Sequence, residues 1–159
     1  MIKGNKMIAV IQRISSGNVV VDGKVVAECG IGLYVLVGVT HEDTEEDVNL
    51  LADKIAKLRV FTDENGKMNL SAADVDGGFM VVPNFTLYGS CRKGNRPDYM
   101  SSASPDVAKP LFDKFVERLS THNSKVSSGI FGAHMIISAT LDGPITIPMY
   151  SDVLKQPKR

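Results

Sequence analysis

Two apolar runs, each ending in a short segment of unusual chemistry, limit the folds open to this chain. Pro83-Asn84-Phe85-Thr86-Leu87-Tyr88-Gly89 follows one run, and Asp142-Gly143-Pro144-Ile145-Thr146 follows the other. Each run reads as a buried strand, and a buried strand needs paired neighbours on both edges. Each segment then delivers polar or backbone-special residues at the strand's end. Two such ends can close around one small pocket, and a Gly-Pro step is one of the few places where a cis peptide bond is accessible.

The rest of the chain supports a single domain built on those strands. Its 159 residues are 43% hydrophobic and 23% charged, ordinary for one globular domain. The formal net charge is zero, with 18 basic and 18 acidic residues. A strong nonspecific nucleic-acid binder is basic, so any polynucleotide contact here is local. Apolar stretches are all under ten residues long, too short to span a bilayer. Lysines near the N-terminus without a continuous apolar core argue against a signal peptide, and a cytoplasmic protein is expected. Cys29 and Cys91 form no CxxC pair and read as free thiols in a reducing compartment. No cofactor and no metal ion is expected.

Residues 7–13 read as a first strand, and residues 18–21 and 24–27 as a hairpin around Asp22-Gly23, where glycine tolerates positive φ. The run at 32–39 predicts a strand buried on both faces. Residues 44–58 predict a helix: Thr44 caps it, Glu45, Glu46 and Asp47 suit its positive end, and Val48, Leu51, Ile55 and Leu58 share one face. A short strand at 59–61, a turn at 63–66 and an apolar strand at 79–82 follow. Residues 90–104 read as a long surface loop. Ser104-Pro105-Asp106 opens a second helix with an apolar stripe of Val107, Leu111, Phe115, Val116 and Leu119. Strands at 135–139 and 145–149 are joined through Leu141-Asp142-Gly143-Pro144. The expected fold is α+β: a curved, barrel-like, mostly antiparallel sheet of about eight strands with two main helices. Residues 1–6 read as an extension, 7–150 as the domain and 151–159 as a polar C-terminal tail.

Gln12-Arg13, Gly66-Lys67-Met68-Asn69-Leu70, Phe85-Thr86-Leu87, Gly94-Asn95-Arg96-Pro97, Phe131-Gly132-Ala133 and Asp142-Gly143-Pro144-Ile145-Thr146 occur in that order. In order and spacing they resemble the D-aminoacyl-tRNA deacylases, over about residues 7–150. The resemblance implies a homodimer that hydrolyses the ester between a D-amino acid, or glycine, and the 3′ end of tRNA. It implies a site at the dimer interface. There the Gly143-Pro144 segment of one subunit, with a cis peptide, enters the pocket of the other and excludes L side chains. Backbone N–H groups around Phe85 and Thr86 would face the developing oxyanion, with Asn84 beside them, and the substrate's terminal ribose hydroxyl would assist the attacking water. A chain without a catalytic triad is then expected. His41, His122 and His134 stand in unrelated contexts, and none adjoins a motif serine.

The chain departs from the family pattern at Pro83-Asn84, where Ser-Gln is usual, and at Leu141, where asparagine is usual. Pro83 leans toward an animal-restricted branch that removes a small L-amino acid. Phe85, Asp142 and Ile145 lean toward the D-specific one. The alternative function is a relaxed or catalytically weakened relative that acts on L-aminoacyl-tRNA or binds nucleic acid. Individual residues keep two readings. Thr86 either serves catalysis or bonds to nearby backbone. Arg92, Lys93 and Arg96 are either a solvated loop or phosphate contacts. Phe131 and Met135 are core or pocket wall, and His134 reads as structural.

Overall fold

The two most apolar runs lie side by side at the middle of one sheet. The computed structural model describes residues 6–158, so of the extension expected at 1–6 only Lys6 falls within the described residues. Strands β1 (Ile8–Val21), β2 (Lys24–Cys29) and β3 (Gly32–Gly38) are followed by helix α1 (Glu45–Ala56). A small hairpin of β4 (Phe61–Thr62) and β5 (Met68–Leu70) precedes β6 (Gly78–Pro83) and a 3-10 helix, Phe85–Tyr88. Then come α2 (Pro105–Ser120), β7 (Val126–Ser128), β8 (Ile136–Tyr150) and a short helix α3 (Ser151–Leu154). The main sheet runs β2-β1-β3-β6-β7, with β8 added along β1. β1 pairs antiparallel with β2, β3 and β8, whereas β3-β6 and β6-β7 are parallel. The result is the expected α+β architecture with a nearly closed, barrel-like sheet.

β3 and β6 are buried on both faces because the sheet has two cores. Leu33, Val35, Val37, Phe79 and Val81 pack under α1 and α2, through Leu51, Ile55, Phe112 and Phe115. The opposite face carries Tyr34, Met80 and Val82 against Ile14, Val19 and Ala27 inside the curl. Alternation along β3 and β6 divides one continuous apolar run between two cores.

The helix signals hold within a residue or two. α1 begins after Thr44, whose N–H donates to the Asp47 carboxylate at 2.9 Å. On α2 the stripe is rotated from the expected one: Ala108, Phe112, Phe115 and Leu119 are buried, while Val107 is exposed. Asp53 on α1 receives a bidentate Arg118 at 2.8 and 2.9 Å and His122 at 2.7 Å. The Arg118 guanidinium holds the Asp53 carboxyl well below the usual carboxylate range.

The strands differ more from expectation. Residues 7–13 and 18–21 form one strand, β1, and residues 135–139 and 145–149 form one strand, β8. The Gly-Pro step therefore lies within β8, not at a strand's end. β1 and β8 pair almost end to end, Ile8 with Tyr150 and Val20 with Ile136. β5 and β7, three residues each, carry no period long enough to reveal them. The chain beyond 150 is docked at its start: Ser151 is buried, its Oγ donates to Asp47 Oδ1 at 2.6 Å, and Lys155 reaches the same oxygen at 3.0 Å.

Candidate active site

The first motif sits where β6 leaves the sheet. Pro83 pairs with Val37 as the last residue of β6, and Asn84 N–H donates to the Val37 carbonyl at 2.8 Å. Asn84 then turns the chain into the 3-10 helix. Its Oδ1 accepts from Thr86 N–H at 3.2 Å and also from the Thr86 hydroxyl. This is the local capping chemistry that a short amide side chain performs. Gly89 N–H closes the turn on the Thr86 carbonyl at 2.9 Å. Tyr88 fastens the far end: its hydroxyl donates to the Lys6 carbonyl at 2.8 Å and lies 3.2 Å from that of Gly38. Burial pushes that hydroxyl's pKa far above its ordinary value. The ring fits only because residue 38 is glycine, since a Cβ there would lie 2.8 Å from Tyr88 Cε2 and from Ile8 Cγ2.

Below this turn lies a cavity of about 550 Å³, in the range of small-molecule sites. Pro83, Asn84, Phe85 and Thr86 line one side, and Phe131, His134 and Met135 another. Ala103, Pro105, Ala108 and Phe112 close it from the start of α2. Phe112 and Phe131 meet at a tilt of 48°, with ring centroids 6.3 Å apart. Met135 packs over Gly129, where a Cβ would meet its sulfur at 2.5 Å. Six expected site residues, Pro83, Asn84, Phe85 and Thr86 with Phe131 and Met135, thus share one cavity. The wall from α2 and the presence of His134 were not expected from sequence.

The donors differ from the simplest expectation. Thr86 N–H is already engaged by Asn84 Oδ1. Phe85 N–H stands at the first position of the 3-10 helix, where no intrahelical acceptor exists. Phe85 itself is 58% exposed at the cavity rim.

The second motif is elsewhere. None of residues 142–146 lines this cavity, so the expectation that both motifs close one pocket is not met within a single chain. In the β1–β8 ladder Gln12 pairs with Thr146 and Ile14 with Leu141, leaving residues 142–145 opposite Arg13 alone. The surplus bulges out of the sheet, with Asp142, Gly143 and Pro144 exposed. The Gly143–Pro144 peptide is cis, and Gly143 has φ +135°. Arg13 holds the bulge: Nε donates to the Asp142 carbonyl at 3.1 Å and lies 3.3 Å from its carboxylate. Nη1 donates to the Val60 carbonyl at 2.9 Å. The Arg13 side chain is 11% exposed. Leu141 has no side-chain amide to hold this segment, and an arginine from the neighbouring strand ties it instead. The arginine's sequence signals were its place in the Gln12-Arg13 segment and a charge at the end of an apolar run.

Arg92, Lys93 and Arg96 lie outside the cavity wall, exposed on a lobe between Ser90 and Asp98. No helix of the described residues is long and apolar enough to cross a membrane. Cys29 and Cys91 are free thiols.

Comparison with known proteins gives one answer. Residues 10–150 match the family model described as D-Tyr-tRNA(Tyr) deacylase. The D-aminoacyl-tRNA deacylase of Thermosipho africanus is 52% identical over 141 residues, 89% of this chain and 95% of the relative. That of Chloroflexus aurantiacus is 49% identical over 153 residues, 96% of each chain. Among solved structures, the c-Myc DNA Unwinding Element Binding Protein superposes with a TM-score of 0.84 at 33% identity, covering 95% of this chain and 99% of its own. A probable eukaryotic D-amino acid tRNA deacylase shares the fold, with a TM-score of 0.79 at 18% identity, over 91% of this chain and 98% of its own.

Proposed function

The chain belongs to the D-Tyr-tRNA(Tyr) deacylase family, and from that premise we propose how its residues divide the work of a D-aminoacyl-tRNA deacylase. The enzyme is an ester hydrolase. Water adds to the carbonyl carbon that joins the amino acid to the terminal ribose, and the carbon–oxygen bond to the ribose breaks. The amino acid leaves as its carboxylic acid and the tRNA keeps its hydroxyl. The ester is already activated, so a positioned water and an oxyanion site suffice.

The cavity bounded by the 3-10 helix carries this reading. Phe85 N–H is the free donor for the developing oxyanion. Asn84 and Thr86 hold the turn so that this donor is preorganised. Phe131 and Met135 form the apolar wall against which the terminal nucleoside packs. Arg92, Lys93 and Arg96 contact phosphates. Gly143 and Pro144 select chirality from a second subunit. Their bulge is exposed and lies outside the cavity of its own chain, as a segment must that enters a partner's site. The working unit is therefore a homodimer, and a C2 pair lets each subunit complete the other. A site that rejects side chains of L configuration by contact with backbone also admits glycine, so glycyl-tRNA is a substrate. The protein works where charged tRNA is used, in the cytoplasm.

Hydrolysis of D-aminoacyl-, L-aminoacyl- and glycyl-tRNA by the purified protein tests the reading. The expected result is cleavage of the D and glycyl esters, with D favoured over L by more than tenfold, about 1.4 kcal/mol at the transition state. Equal rates on D and L esters contradict the assigned role of Gly143 and Pro144. A second reading, nucleic-acid binding without hydrolysis, draws on the neighbour named for binding a DNA unwinding element. Absence of cleavage with tight DNA binding would favour it. Sedimentation at micromolar concentration checks the dimer, and an active monomer removes the need for a partner's segment.

A further inference from the structure

The rim of the cavity presents an exposed apolar surface next to unpaired cations. Phe85 is 58% exposed and meets Tyr99 edge to face, with ring centroids 5.2 Å apart at 77°. Tyr99 is 38% exposed, and Met100 beside it 81%. Single exposed apolar residues are ordinary, but these three adjoin one another at the mouth of a site. The turn that carries Tyr99 and Met100 is held by several hydrogen bonds. Met100 N–H donates to Asp98 Oδ1 at 2.7 Å, and the Met100 carbonyl lies 2.7 Å from His41 Nε2. Ser102 N–H donates to the Tyr99 carbonyl at 3.1 Å, and Ala103 N–H to that of Val39 at 2.9 Å.

The lobe of residues 91–97 rises from the same base. Ser90 and Asp98 pinch it off with two backbone hydrogen bonds of 2.7 and 2.9 Å. Arg92, Lys93 and Arg96 fall within it and no acidic residue does, although the chain as a whole has no net charge. Among the described residues none of the three makes an ion pair. Exposed aromatic faces beside unpaired cations are the parts from which single-stranded nucleic acid is bound: bases stack and phosphates are neutralised.

We propose that this rim is a track for the unpaired nucleotides that precede the terminal nucleoside of the charged tRNA. A base stacks on the Tyr99 ring and the Met100 side chain, and Arg92, Lys93 and Arg96 take the adjoining phosphates. The inference rests on the deacylase reading above and adds to it a second, sequence-tolerant subsite. Every base has a face that can stack, so such a track serves tRNAs of differing sequence.

The test compares a full D-aminoacyl-tRNA with the 3′-D-aminoacyl ester of adenosine, which lacks all preceding nucleotides. Tyr99→Ala is expected to lower kcat/KM on the tRNA about tenfold more than on the adenosine ester, chiefly through KM. Tyr99→Phe, which keeps the ring, should restore the tRNA value. Met100→Ala should shift the tRNA value in the same direction while touching a side chain largely outside the packed fold. Replacing Arg92, Lys93 and Arg96 together by alanine should flatten the dependence of log KM on log salt by about 2, from about 0.7 per phosphate. Equal losses on both substrates would overturn the track. So would a Tyr99→Ala protein that sediments as a monomer where the parent is a dimer, because the ring then belongs to the subunit contact. A parent protein inactive on both esters removes the deacylase reading itself, and the track with it.

Discussion

Phe85–Tyr88 and the bulge at residues 142–145 carry the two halves of the proposed chemistry, and the fold holds them in opposite ways. The 3-10 helix is gripped by its own chain at every point. Asn84 caps it, Gly89 closes it, and Tyr88 pins it to Lys6 and Gly38. The cavity beneath is walled by three strands and a helix, and some of its lining side chains also belong to the main core, Phe112 among them. The bulge is held more lightly. Asp142, Gly143 and Pro144 are exposed and line no cavity of their own chain, and the segment is tied down by one guanidinium from β1 and by half-buried Ile145 against the main core. The contrast separates a turn that one chain holds by itself from a segment that, in the proposed dimer, acts on the partner's cavity. An oxyanion donor gains from being fixed before substrate arrives. A segment meant for a partner must stay outside its own core.

The largest expected effect tests the first half. Phe112 is 3% exposed and stands in both the core and the cavity wall. Phe112→Ala should destabilise the protein by about 3–5 kcal/mol, as large-to-small core changes do, read from denaturant midpoints. If the bulge is as loosely integrated as it looks, Leu141→Ala beside it should stay within about 0.5 kcal/mol, Leu141 being 48% exposed. Comparable losses would erase the distinction between the two regions.

Next comes the turn's own chemistry. The Thr86 hydroxyl donates to Asn84 Oδ1, which marks it as part of the turn's scaffold. Thr86→Ala should then lower kcat by at most about 100-fold, the low end for losing one oxyanion-site donor. Complete inactivation of a well-folded variant, or a trapped aminoacyl–Thr86 adduct, would make the side chain the nucleophile.

The support beneath this turn has its own pH signature. Asp43, on the loop from β3 to α1, is 7% exposed, and burial raises its carboxyl to about 6. Its Oδ2 accepts from Thr40 N–H at 2.8 Å, but its Oδ1 has no partner among the described residues. The native state therefore holds this proton more tightly than the unfolded chain does. Asp43 favours folding below about pH 4, and that contribution is lost as pH rises through about 6. The loss is on the order of 3 kcal/mol. Asp53, lowered by Arg118, works in the opposite sense at lower pH. The difference in stability between Asp43→Asn and the parent, followed from pH 4 to 7, isolates the effect. A difference that does not change with pH assigns the carboxyl an ordinary value.

A smaller effect is expected at the bulge. Arg13→Ala removes the contacts to Asp142 and Val60, and should reduce the preference for D over L esters about tenfold, or about 1.4 kcal/mol. Glycyl-tRNA, with no side chain to reject, should be affected less. An unaltered D/L ratio would mean that the bulge keeps its shape without the arginine.

Much of this could be read from residues close together in the chain. Thr44 and Asp47, Ser104 and Pro105, and Asp22-Gly23 announce their caps and turn through interactions spanning one to three residues. The apolar runs at 32–39 and 79–82 announce strands buried on both sides. The ordered motifs identified the family, and Pro83, Asn84, Phe85 and Thr86, neighbours in the chain, line one cavity. Contacts between distant parts of the chain decided the rest. β8 became one strand because β1 offers it a partner from end to end, across more than 100 residues of intervening chain. The same register leaves four residues facing Arg13, and so creates both the bulge and its tether. Phe112 became a cavity wall, and Val107 a surface residue, only when α2 settled its rotation against β3 and α1. Local propensity is paid within a few residues and leaves a mark in the sequence. Register, helix rotation and the shared cavity arise from packing between segments far apart, where many residue choices satisfy the same period and only mutual fit selects among them.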